Sequence, residues 1–354
     1  FSSLRARAFH PTRIVHAWLL TSEARHRPGS NIFHRNQEMG FYSLLFLFQA
    51  LVDAEFPALP HCLVLTNGME RLEDEPLRHP EKATILGPAL VAPKEIPGLT
   101  ARVVDVELEE RGEHPRVSLL GRNADRPIAE RSALELVDEI EAEPDIDVVL
   151  LRGGRRYSRT TERVSLDGGG VKLRSGGVYM ITGAYGDLGR LVARHLAESE
   201  HAKLVLCGRL ALPPREEWPA QLEGSLPGDP VSSTIREILH LESLGAEVLP
   251  AYADVTHIDA MRRAVHEAHA RFGALHGVFH CAGVLRDSLI ATKTTSEAEE
   301  VFTPKVHGTV VLDEVLRDVD LDFLCLFSSI SSDVAPVGQV DYVAANAFLN
   351  AYAR

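Results

Sequence analysis

The sequence lacks several features that would assign it to common functional classes. No apolar run approaches the roughly 20 residues of a membrane-spanning helix, and the longest, residues 41–52, is interrupted by Ser43 and Gln49. Lysine and arginine total 37 against 50 acidic residues, and the resulting net charge of −13 works against binding a nucleic-acid backbone. The first residues, FSSLRARAFH, contain no apolar signal-peptide segment. We therefore expect a soluble, cytoplasmic protein that binds neither membranes nor nucleic acid.

Cysteine is also scarce, and its placement argues against a metal site. The four cysteines lie in or beside apolar, strand-like runs, and no two have metal-ligand spacing: Cys62, Cys207, Cys281 and Cys325. Buried free thiols in a reducing compartment are the simplest account. We predict no metal site. Because the chain starts without methionine and ends inside a helical pattern, we also expect it to be a segment of something longer.

What is present predicts an α/β protein with two Rossmann-like lobes. From residue 178 onward, short β-branched runs alternate with amphipathic stretches, which is typical of a doubly wound parallel sheet. Strands are predicted at 178–182, 203–207, 247–251, 277–280 and 322–327, and helices at 187–198, 232–244, 258–271, 305–317 and 340–353. Residues 210–230, rich in proline and glycine, are predicted to form a surface loop.

The first lobe shows a looser version of the same alternation. Strands are predicted at 14–20, 61–66, 101–106 and 148–151, and helices at 40–54 and 127–141. No strand here is followed by a phosphate-binding glycine pattern. We predict a structural subdomain without cofactor at 1–160, a glycine-rich linker at 161–177 and a catalytic subdomain at 178–354 that is truncated at its C-terminus.

A strand, a glycine turn and a helix follow one another from residue 178. Glycines in such a turn let the backbone approach a pyrophosphate, whose charge then meets the amides at a helix N-terminus. The alternative is an ordinary strand-to-helix turn. We predict a dinucleotide site that includes Thr182, Gly183, Gly186, Leu188 and Gly189.

The residue after the second predicted strand indicates which dinucleotide is bound. An acid there binds the ribose diol, whereas an arginine accepts a 2′-phosphate. Here it is Arg209, which lies about 20 residues after Gly189, so NADPH is favoured over NADH, unless Arg209 only solvates the strand end. Loops after the next two strands would border the adenine and the nicotinamide ribose, and they contain Asp254, Val255, Ala282 and Gly283.

Four polar residues late in the chain have the types and spacing that carbonyl reduction needs: Lys305, Ser329, Tyr342 and Asn346. Tyr342 and Asn346 are four residues apart in a helical stretch, so they share one face. A phenol titrates near 10 and is a useful acid at neutral pH only if a cation stabilises its phenolate, and Lys305 is the candidate cation. The alternatives are that Ser329 caps a strand end and that Tyr342 is an ordinary half-buried tyrosine.

These motifs together resemble the ketoreductase domain of modular type I polyketide synthases, in the short-chain dehydrogenase/reductase superfamily. The resemblance rests on Thr-Gly-x-x-Gly-x-Leu-Gly, on Ala-Gly after the fourth strand, and on Tyr-x-x-x-Asn preceded by a lysine and a serine. It covers the whole chain, since residues 152–157, 213–218 and 335–342 are also similar to family stretches. Most short-chain dehydrogenases carry Tyr-x-x-x-Lys, whereas here Asn346 takes that lysine's place and Lys305 supplies the amine.

The resemblance implies NADPH-dependent reduction of a β-ketoacyl thioester on an acyl carrier protein, beside neighbouring domains of the same megasynthase. It implies that Tyr342 protonates the alkoxide and that Ser329 binds the substrate carbonyl. It also implies that Lys305 lowers the pKa of the tyrosine and helps to position the cofactor or a relay water, while Asn346 holds the hydrogen-bond network. The family spacing of thirteen residues before the tyrosine selects Ser329 over Ser328.

The resemblance extends to stereochemistry. The segment that ends at Asp287 resembles the Leu-Asp-Asp motif of B-type ketoreductases, with Arg286 replacing the first aspartate. Val334 stands where A-type enzymes carry a tryptophan. Together these positions imply a D-configured (3R) alcohol with Asp287 as the stereocontrol residue, unless Asp287 merely caps the next segment.

Two positions depart from the family's glycine turn and keep other functions open. Ala184 replaces a glycine, and Asp187 replaces a small residue. A carboxylate beside a pyrophosphate costs about 1–4 kcal/mol, depending on how wet the site is, unless Arg190 or solvent offsets it. The alternatives are therefore a structural or docking domain of a megasynthase that reduces nothing, and the ketoreductase of a type I fatty acid synthase.

Overall fold

A computed structural model describes residues 1–21, 29–72, 75, 77–107, 126–143, 146–165 and 172–354. Packing divides the chain into two compact units. The first unit comprises Phe1–Arg163, Arg286–Glu299 and Ser328–Arg354, and the second comprises Val164–Leu285 and Glu300–Phe327. Each unit contains one five-stranded sheet, so the predicted α/β fold with parallel sheets is confirmed.

The sheet of the first unit keeps the order of the chain. Its strands are β1 (Arg13–Leu19), β2 (His61–Thr66), β3 (Thr100–Val106), β4 (Val148–Arg152) and β5 (Arg155–Ser158). The first four pair in parallel, and β5 returns antiparallel to β4. Every residue of β2 and β4 is buried, as expected of parallel strands covered on both faces.

The helices of the first unit are α1 (Ser2–Ala6), α2 (Asn31–Gln37), α3 (Ser43–Ala54), α4 (Leu86–Glu95) and α5 (Arg126–Glu141), with α12 (Ser331–Val334) and α13 (Val340–Tyr352) from the end of the chain. The sequence patterns predicted three of these, α3, α5 and α13, and missed α1, α2, α4 and α12. A glycine allows α4 and α13 to pack closely, because a Cβ at Gly87 would lie 2.2 Å from the Val340 carbonyl oxygen and 2.7 Å from the Ala344 Cβ.

The turn after β2 in the first unit is occupied by the protein's own carboxylate. Asp105 accepts hydrogen bonds from the backbone amides of Met69 and Glu70, at 2.7 and 3.2 Å. Arg152 pairs with the same carboxylate at 2.6 Å, and both side chains are buried. Amides that are already bonded in this way cannot bind a phosphate, which supports the prediction that this lobe is structural.

The sheet of the second unit has the order expected of a doubly wound fold. Its strands are β6 (Val178–Thr182), β7 (Lys203–Gly208), β8 (Glu247–Tyr252), β9 (Gly277–His280) and β10 (Phe323–Leu326), all parallel in the order β10-β9-β6-β7-β8. The chain steps outward from β6 to β8 and then returns to β9 on the other side. The switch point therefore lies between β6 and β9, where ligands of such sheets bind at the carboxyl ends.

Helices cover both faces of this sheet. They are α6 (Asp187–Glu200), α7 (Trp218–Glu223), α8 (Pro230–Ser243), α9 (Ile258–Phe272) and α11 (Gly308–Leu316), and α10 (Thr295–Phe302) spans the division between the units. Alternate residues of β6 belong to two different apolar clusters, Met180 to one and Ile181 to the other. This period of two is what a strand buried on both sides requires.

Two predictions for this half of the chain are wrong in part. Residues 210–230 are not only a loop, because they contain a short 3₁₀ turn and α7, whose first residue Trp218 is buried and donates its indole N–H to the Pro213 carbonyl. The predicted helix at 305–317 begins within a π-helical turn at Thr303–His307 and continues as α11, while α10, which ends directly before this turn, was not predicted. Among the residues described, no helix has the length and hydropathy of a membrane span.

Packing also groups the chain differently from the predicted boundaries at 160 and 178. The segments Arg286–Glu299 and Ser328–Arg354 belong to the first unit although they lie within the predicted catalytic subdomain. The physical reason is that α13 is apolar on nearly all sides and packs against α4. The predicted boundaries follow the chain order, and as functional boundaries they stay a prediction.

Candidate active site

The glycine turn after β6 has the geometry that a dinucleotide site needs. Gly183 has a φ of +66°, and a Cβ there would lie 2.7 Å from the Cα of Ala282, so only glycine fits. A Cβ at Gly189 would lie 2.4 Å from the Gly183 carbonyl oxygen. Gly186, by contrast, is exposed, and its nearest neighbour would lie 3.4 Å away. The turn is therefore tightly packed inside and open at the N-terminus of α6.

The pairing of β6 with β9 brings two predicted cofactor segments together. Thr182 lies opposite His280 in the sheet, so the turn at Gly183 contacts the backbone at Ala282. The glycine turn and Gly283 therefore lie at the same edge of the sheet. Ala184, unlike Gly183, does not have a positive φ, so a side chain causes no backbone strain there. Its amide donates to the Cys207 carbonyl at 3.2 Å, and the alanine that departs from the family pattern is accommodated in the turn.

The next predicted cofactor residues lie at the carboxyl ends of β7 and β8. Arg209 directly follows β7, and Asp254 and Val255 follow β8. Burial opposes the ionisation of Asp254, but hydrogen bonds from the amide and hydroxyl of Thr256, at 2.9 and 2.7 Å, and the charge of Arg209 lower its pKa. Val255 is buried against the position of Gly308. The structure thus brings Arg209 and Asp254 to one edge, where Arg209 is exposed.

Lys305 is buried beside Gly283. Its side chain is 5% exposed, and its ammonium donates a hydrogen bond to the Phe327 carbonyl at 2.9 Å. A Cβ at Gly283 would lie 3.1 Å from the Lys305 Cε. Burial lowers the pKa of Lys305 to about 8, and the neighbouring Cys281 acts in the opposite direction. The predicted cation therefore lies at the switch point, in the same unit as the glycine turn.

The remaining predicted residues form a second group, in the first unit. Tyr342 is half-buried on α13, and Asn346 is completely buried one turn later. The Asn346 Nδ2 donates to the Tyr342 carbonyl at 2.8 Å, while its Oδ1 has no hydrogen-bond partner among the described residues. Asn346 therefore holds the helix at the tyrosine and retains one unused acceptor.

The two serines after β10 differ in how their hydroxyls are used. Ser328 donates its hydroxyl proton to the Asn346 carbonyl at 3.1 Å. The Ser329 oxygen instead accepts a hydrogen bond from the Ser331 amide at 3.2 Å, which leaves its own proton available to a ligand. This difference favours Ser329, as the family spacing does, although the Ser331 bond also shows that the Ser329 hydroxyl takes part in the short turn before α12.

Three charged residues that fix this group were missed in the sequence. Lys293 and Asp341 form a completely buried ion pair at 2.8 Å, and Asp341 also accepts from the Tyr342 amide at 2.8 Å. Glu95 accepts from the amides of Ile290 and Gly338, at 2.6 and 2.8 Å. The signal for Asp341 was its place directly before the tyrosine, but no sequence pattern pairs it with Lys293.

Asp287 and Asp187, the two acidic residues of interest, are both exposed. Asp287 accepts a hydrogen bond from the Gln339 side chain at 3.0 Å, next to the start of α13. Asp187 lies in the first turn of α6 and forms no ion pair with any described residue, Arg190 included. Solvent, rather than Arg190, therefore reduces the cost of the Asp187 charge. Within the described ranges, no cluster of histidine, cysteine or acidic side chains has a geometry suited to a metal ion.

Comparison with known proteins decides the family. A family model described as "KR domain" matches residues 177–354, half of the chain. The chain belongs to the KR domain family. The predicted resemblance to ketoreductases of polyketide synthases is thereby confirmed, and membership of the KR family implies an oxidoreductase fold that binds a nicotinamide cofactor.

The relatives of this KR domain are large synthases. Polyketide synthase PksM of Bacillus subtilis is 37% identical over 216 residues, which cover 61% of this chain and 5% of that protein. Polyketide synthase ThaG of Burkholderia thailandensis is 30% identical over 333 residues, 90% of this chain and 5% of that protein. The chain thus spans about a twentieth of these relatives' length. The structure of the first ketoreductase of the tylosin polyketide synthase superposes with a TM-score of 0.74 at 26% identity, over 99% of this chain and 65% of that one.

Proposed function

We propose that this KR domain reduces a β-ketoacyl thioester to a β-hydroxyacyl thioester with NADPH. The observation that carries the proposal is the buried ammonium of Lys305 beside Gly283, at the switch point of a sheet whose glycine turn is shaped for a dinucleotide. When bound, NADPH supplies the hydride that adds to the β-carbon. The residues of the chain then have to bind the carbonyl oxygen and give it a proton.

NADPH rather than NADH is supported by Arg209. Its guanidinium is exposed at the end of β7, and no carboxylate ends that strand. An arginine at this position suits a 2′-phosphate, whereas a ribose diol calls for an acid. Because Arg209 also influences Asp254, it lies at the edge where the adenosine end of the cofactor is proposed to bind.

Proton transfer is assigned to Tyr342, with Ser329 as the hydrogen-bond donor to the substrate carbonyl. The free hydroxyl proton of Ser329 supports its role. The positive charge of Lys305 is proposed to favour the phenolate that Tyr342 becomes after it has given up its proton. The unused Oδ1 of Asn346 is proposed to accept from the water that returns a proton to the tyrosine.

The stereochemical proposal is B-type, giving a D-configured (3R) hydroxyl. Asp287 is tied to Gln339, and the amide of Ser288 donates to the Gly338 carbonyl at 2.9 Å. Both bonds fix the Asp287 segment to the residues that precede α13, so this carboxylate has a defined position relative to Tyr342 within one unit. The substrate is proposed to arrive on an acyl carrier protein from neighbouring domains, because the relatives are multidomain synthases.

The deciding experiment is NADPH oxidation by the protein with a β-ketoacyl thioester, followed by chiral analysis of the alcohol. We expect turnover, and we expect Tyr342→Phe to reduce kcat by about 100-fold or more, because the general acid is lost. NADPH binding, measured by fluorescence, should be unchanged in that variant. Tyr352→Phe, on the same helix, is the matched control and should keep its activity.

A second function, a KR-type domain of a synthase that reduces nothing, is favoured by Asp187. Its carboxylate lies in the exposed first turn of α6, beside the open face of Gly186. A folded protein without saturable NADPH binding would support this alternative and overturn the reductase. Saturable binding with an L-configured product would overturn only the B-type assignment.

A further inference from the structure

His280 is a buried imidazole that the proposed reaction does not use. It ends β9, next to the cofactor edge of the second unit, and is 1% exposed. Its Nδ1 lies 2.7 Å from the hydroxyl oxygen of Thr182, the last residue of β6. Burial lowers the pKa of His280 to about 3, helped by the charge of Lys305, so the ring is neutral at physiological pH.

The ring also lies against the π-helical turn that carries Lys305, because a Cβ at Gly308, directly after that turn, would lie 3.5 Å from the His280 Cε1. In an α-helix the amide of Gly308 would bond to the carbonyl of Pro304, four residues earlier. Here that amide bonds to Thr303 instead, five residues earlier. The carbonyls of Pro304 and Lys305 interact with the imidazole, while its Nε2 has no hydrogen bond of ordinary geometry to the described residues.

This arrangement favours one tautomer. A backbone carbonyl only accepts hydrogen bonds, so a ring nitrogen that faces one is stabilised when it carries the proton. That is the Nε2–H tautomer, in which Nδ1 accepts from the Thr182 hydroxyl. The Lys305 carbonyl already accepts from the Thr309 hydroxyl at 2.5 Å, whereas the Gly308 amide is bonded to Thr303 rather than to Pro304.

We propose that His280, as the neutral Nε2–H tautomer, is a positioning residue that links the cofactor turn at Thr182 to the π-helical turn that holds Lys305. It replaces the amide that the π turn diverts from Pro304, and it thereby keeps the Lys305 side chain over Gly283. The role of His280 in catalysis rests on the proposed function, whereas its tautomer does not. A single strand end thus supports both the dinucleotide turn and the lysine.

The alternative is that His280 is an ordinary core histidine, and two experiments separate the readings. The first needs no activity: long-range ¹H–¹⁵N NMR spectra of the protein report which ring nitrogen carries the proton. We expect Nε2–H without titration between pH 5 and 9. If the signals of His280, identified by their loss in His280→Gln, show an Nδ1–H tautomer or a titration near pH 6.5, the proposal is overturned even if the protein proves to be an active reductase.

The second experiment uses three variants. His280→Leu removes both hydrogen-bonding atoms, His280→Gln retains one donor and one acceptor, and His276→Leu is the control. His276 directly precedes β9 at its opposite end, where its Nδ1 accepts from the Val178 amide at 2.9 Å. It therefore loses a comparable bond far from Lys305.

We expect His280→Leu to reduce kcat by about tenfold or more, and His280→Gln to restore most of it. The alkaline limb of the pH profile should shift upward in His280→Leu, because a displaced Lys305 is better hydrated. The titratable groups around this lysine are His280 itself, which is neutral and which the variants replace, and Cys281 with Cys325 beside it, which they leave unchanged. Equal losses of kcat and equal pH profiles for His280→Leu and His276→Leu would show that His280 is an ordinary core residue. If the wild type reduces nothing, the NMR result still decides the tautomer.

Discussion

At the scale of single residues, burial of Lys305 disfavours the positive charge that its proposed function needs. In an unfolded chain this amine titrates near 10.5, whereas in the folded protein burial lowers its pKa to about 8. Between these two values the unfolded state binds more protons, so the contribution of Lys305 to stability rises with pH. Below about pH 8 the folded protein carries the full cost of the buried charge.

Lys305→Met should therefore separate stability from activity. Removing a charge that burial destabilises should raise the melting temperature at pH 7 by about 2 °C or more. The same change should lower kcat by about 100-fold, because the cation that favours the phenolate is lost. Lys203→Met, half-buried in the same unit, is the control and should alter neither quantity by much. A variant that is both less stable and fully active would contradict the assignment.

The two serines after β10 provide a matched pair at the same scale. Ser329→Ala should lower kcat/KM by about tenfold or more, because a hydrogen bond to the developing oxyanion is lost. Ser328→Ala removes a bond to the Asn346 carbonyl and should cost about 1 kcal/mol of stability, with little effect on turnover. Steady-state kinetics and thermal melting of both variants test this. The reverse pattern would show that Ser328 is the substrate-binding serine.

At the scale of elements, the start of α13 is fixed by an ion pair that also holds the Asp287 segment. Lys293 donates to the Arg286 carbonyl as well as to Asp341, and the Asp341 carboxylate in turn accepts from the Tyr342 amide. A buried pair is costly to break, because the remaining charge has no partner. The position of Tyr342, the proposed general acid, therefore depends on a lysine 49 residues earlier in the chain.

Lys293→Met should lower the free energy of unfolding by about 3–5 kcal/mol, since it leaves the Asp341 carboxylate buried and unpaired. Urea denaturation measures this loss. Lys293→Met combined with Asp341→Leu should recover part of it, because no unpaired charge is left. Arg317→Met, which breaks an exposed pair with Glu314, is the control and should cost less than about 1 kcal/mol. Equal losses for Lys293→Met and Arg317→Met would show that the buried pair is not important.

The elements also show which features a sequence can reveal. The strands at 178–182, 277–280 and 61–66 were predicted with their observed limits, because β-branched runs bounded by glycine or polar residues are a local signal. The π turn at Thr303–His307 was not, because inserting one residue into a helical pattern changes the hydrogen bonds without changing the composition. The glycine turn could be predicted because a turn in which only glycine fits, as at Gly183, is visible in the sequence as a glycine.

At the scale of the whole molecule, cofactor binding is assigned to one unit only. The first unit has its β2 turn bonded to Asp105, whereas the turn at Gly183 has an open face at Gly186. Which lobe contains α13 could not be predicted, because a helix that is apolar on nearly all sides does not indicate its partner. The Lys293–Asp341 pair was missed for a similar reason: it joins residues that are distant in the sequence.

We therefore expect one NADPH per chain, lost in Gly186→Val. A Cβ at Gly186 would have no neighbour closer than 3.4 Å and the residue has a φ of −80°, so the Gly186→Val variant should fold while its side chain covers the N-terminus of α6. Gly224→Val is the matched control, since its Cβ would also lie 3.4 Å from its nearest neighbour and its φ is −86°. Fluorescence titration measures both. Binding that survives in Gly186→Val, or two molecules per wild-type chain, would show a different site.

The division of the first unit into three separate segments has a consequence for synthesis. Its last segment, Ser328–Arg354, is translated after every residue of the second unit. During translation, the apolar surface of α4 that packs against α13 therefore stays uncovered while nearly 250 intervening residues are made. The second unit is therefore able to fold before the segment that bears Tyr342 has been made. Translation stalled shortly after Phe327 should consequently yield chains in which the unit proposed to bind the cofactor is folded while the proposed general acid is missing.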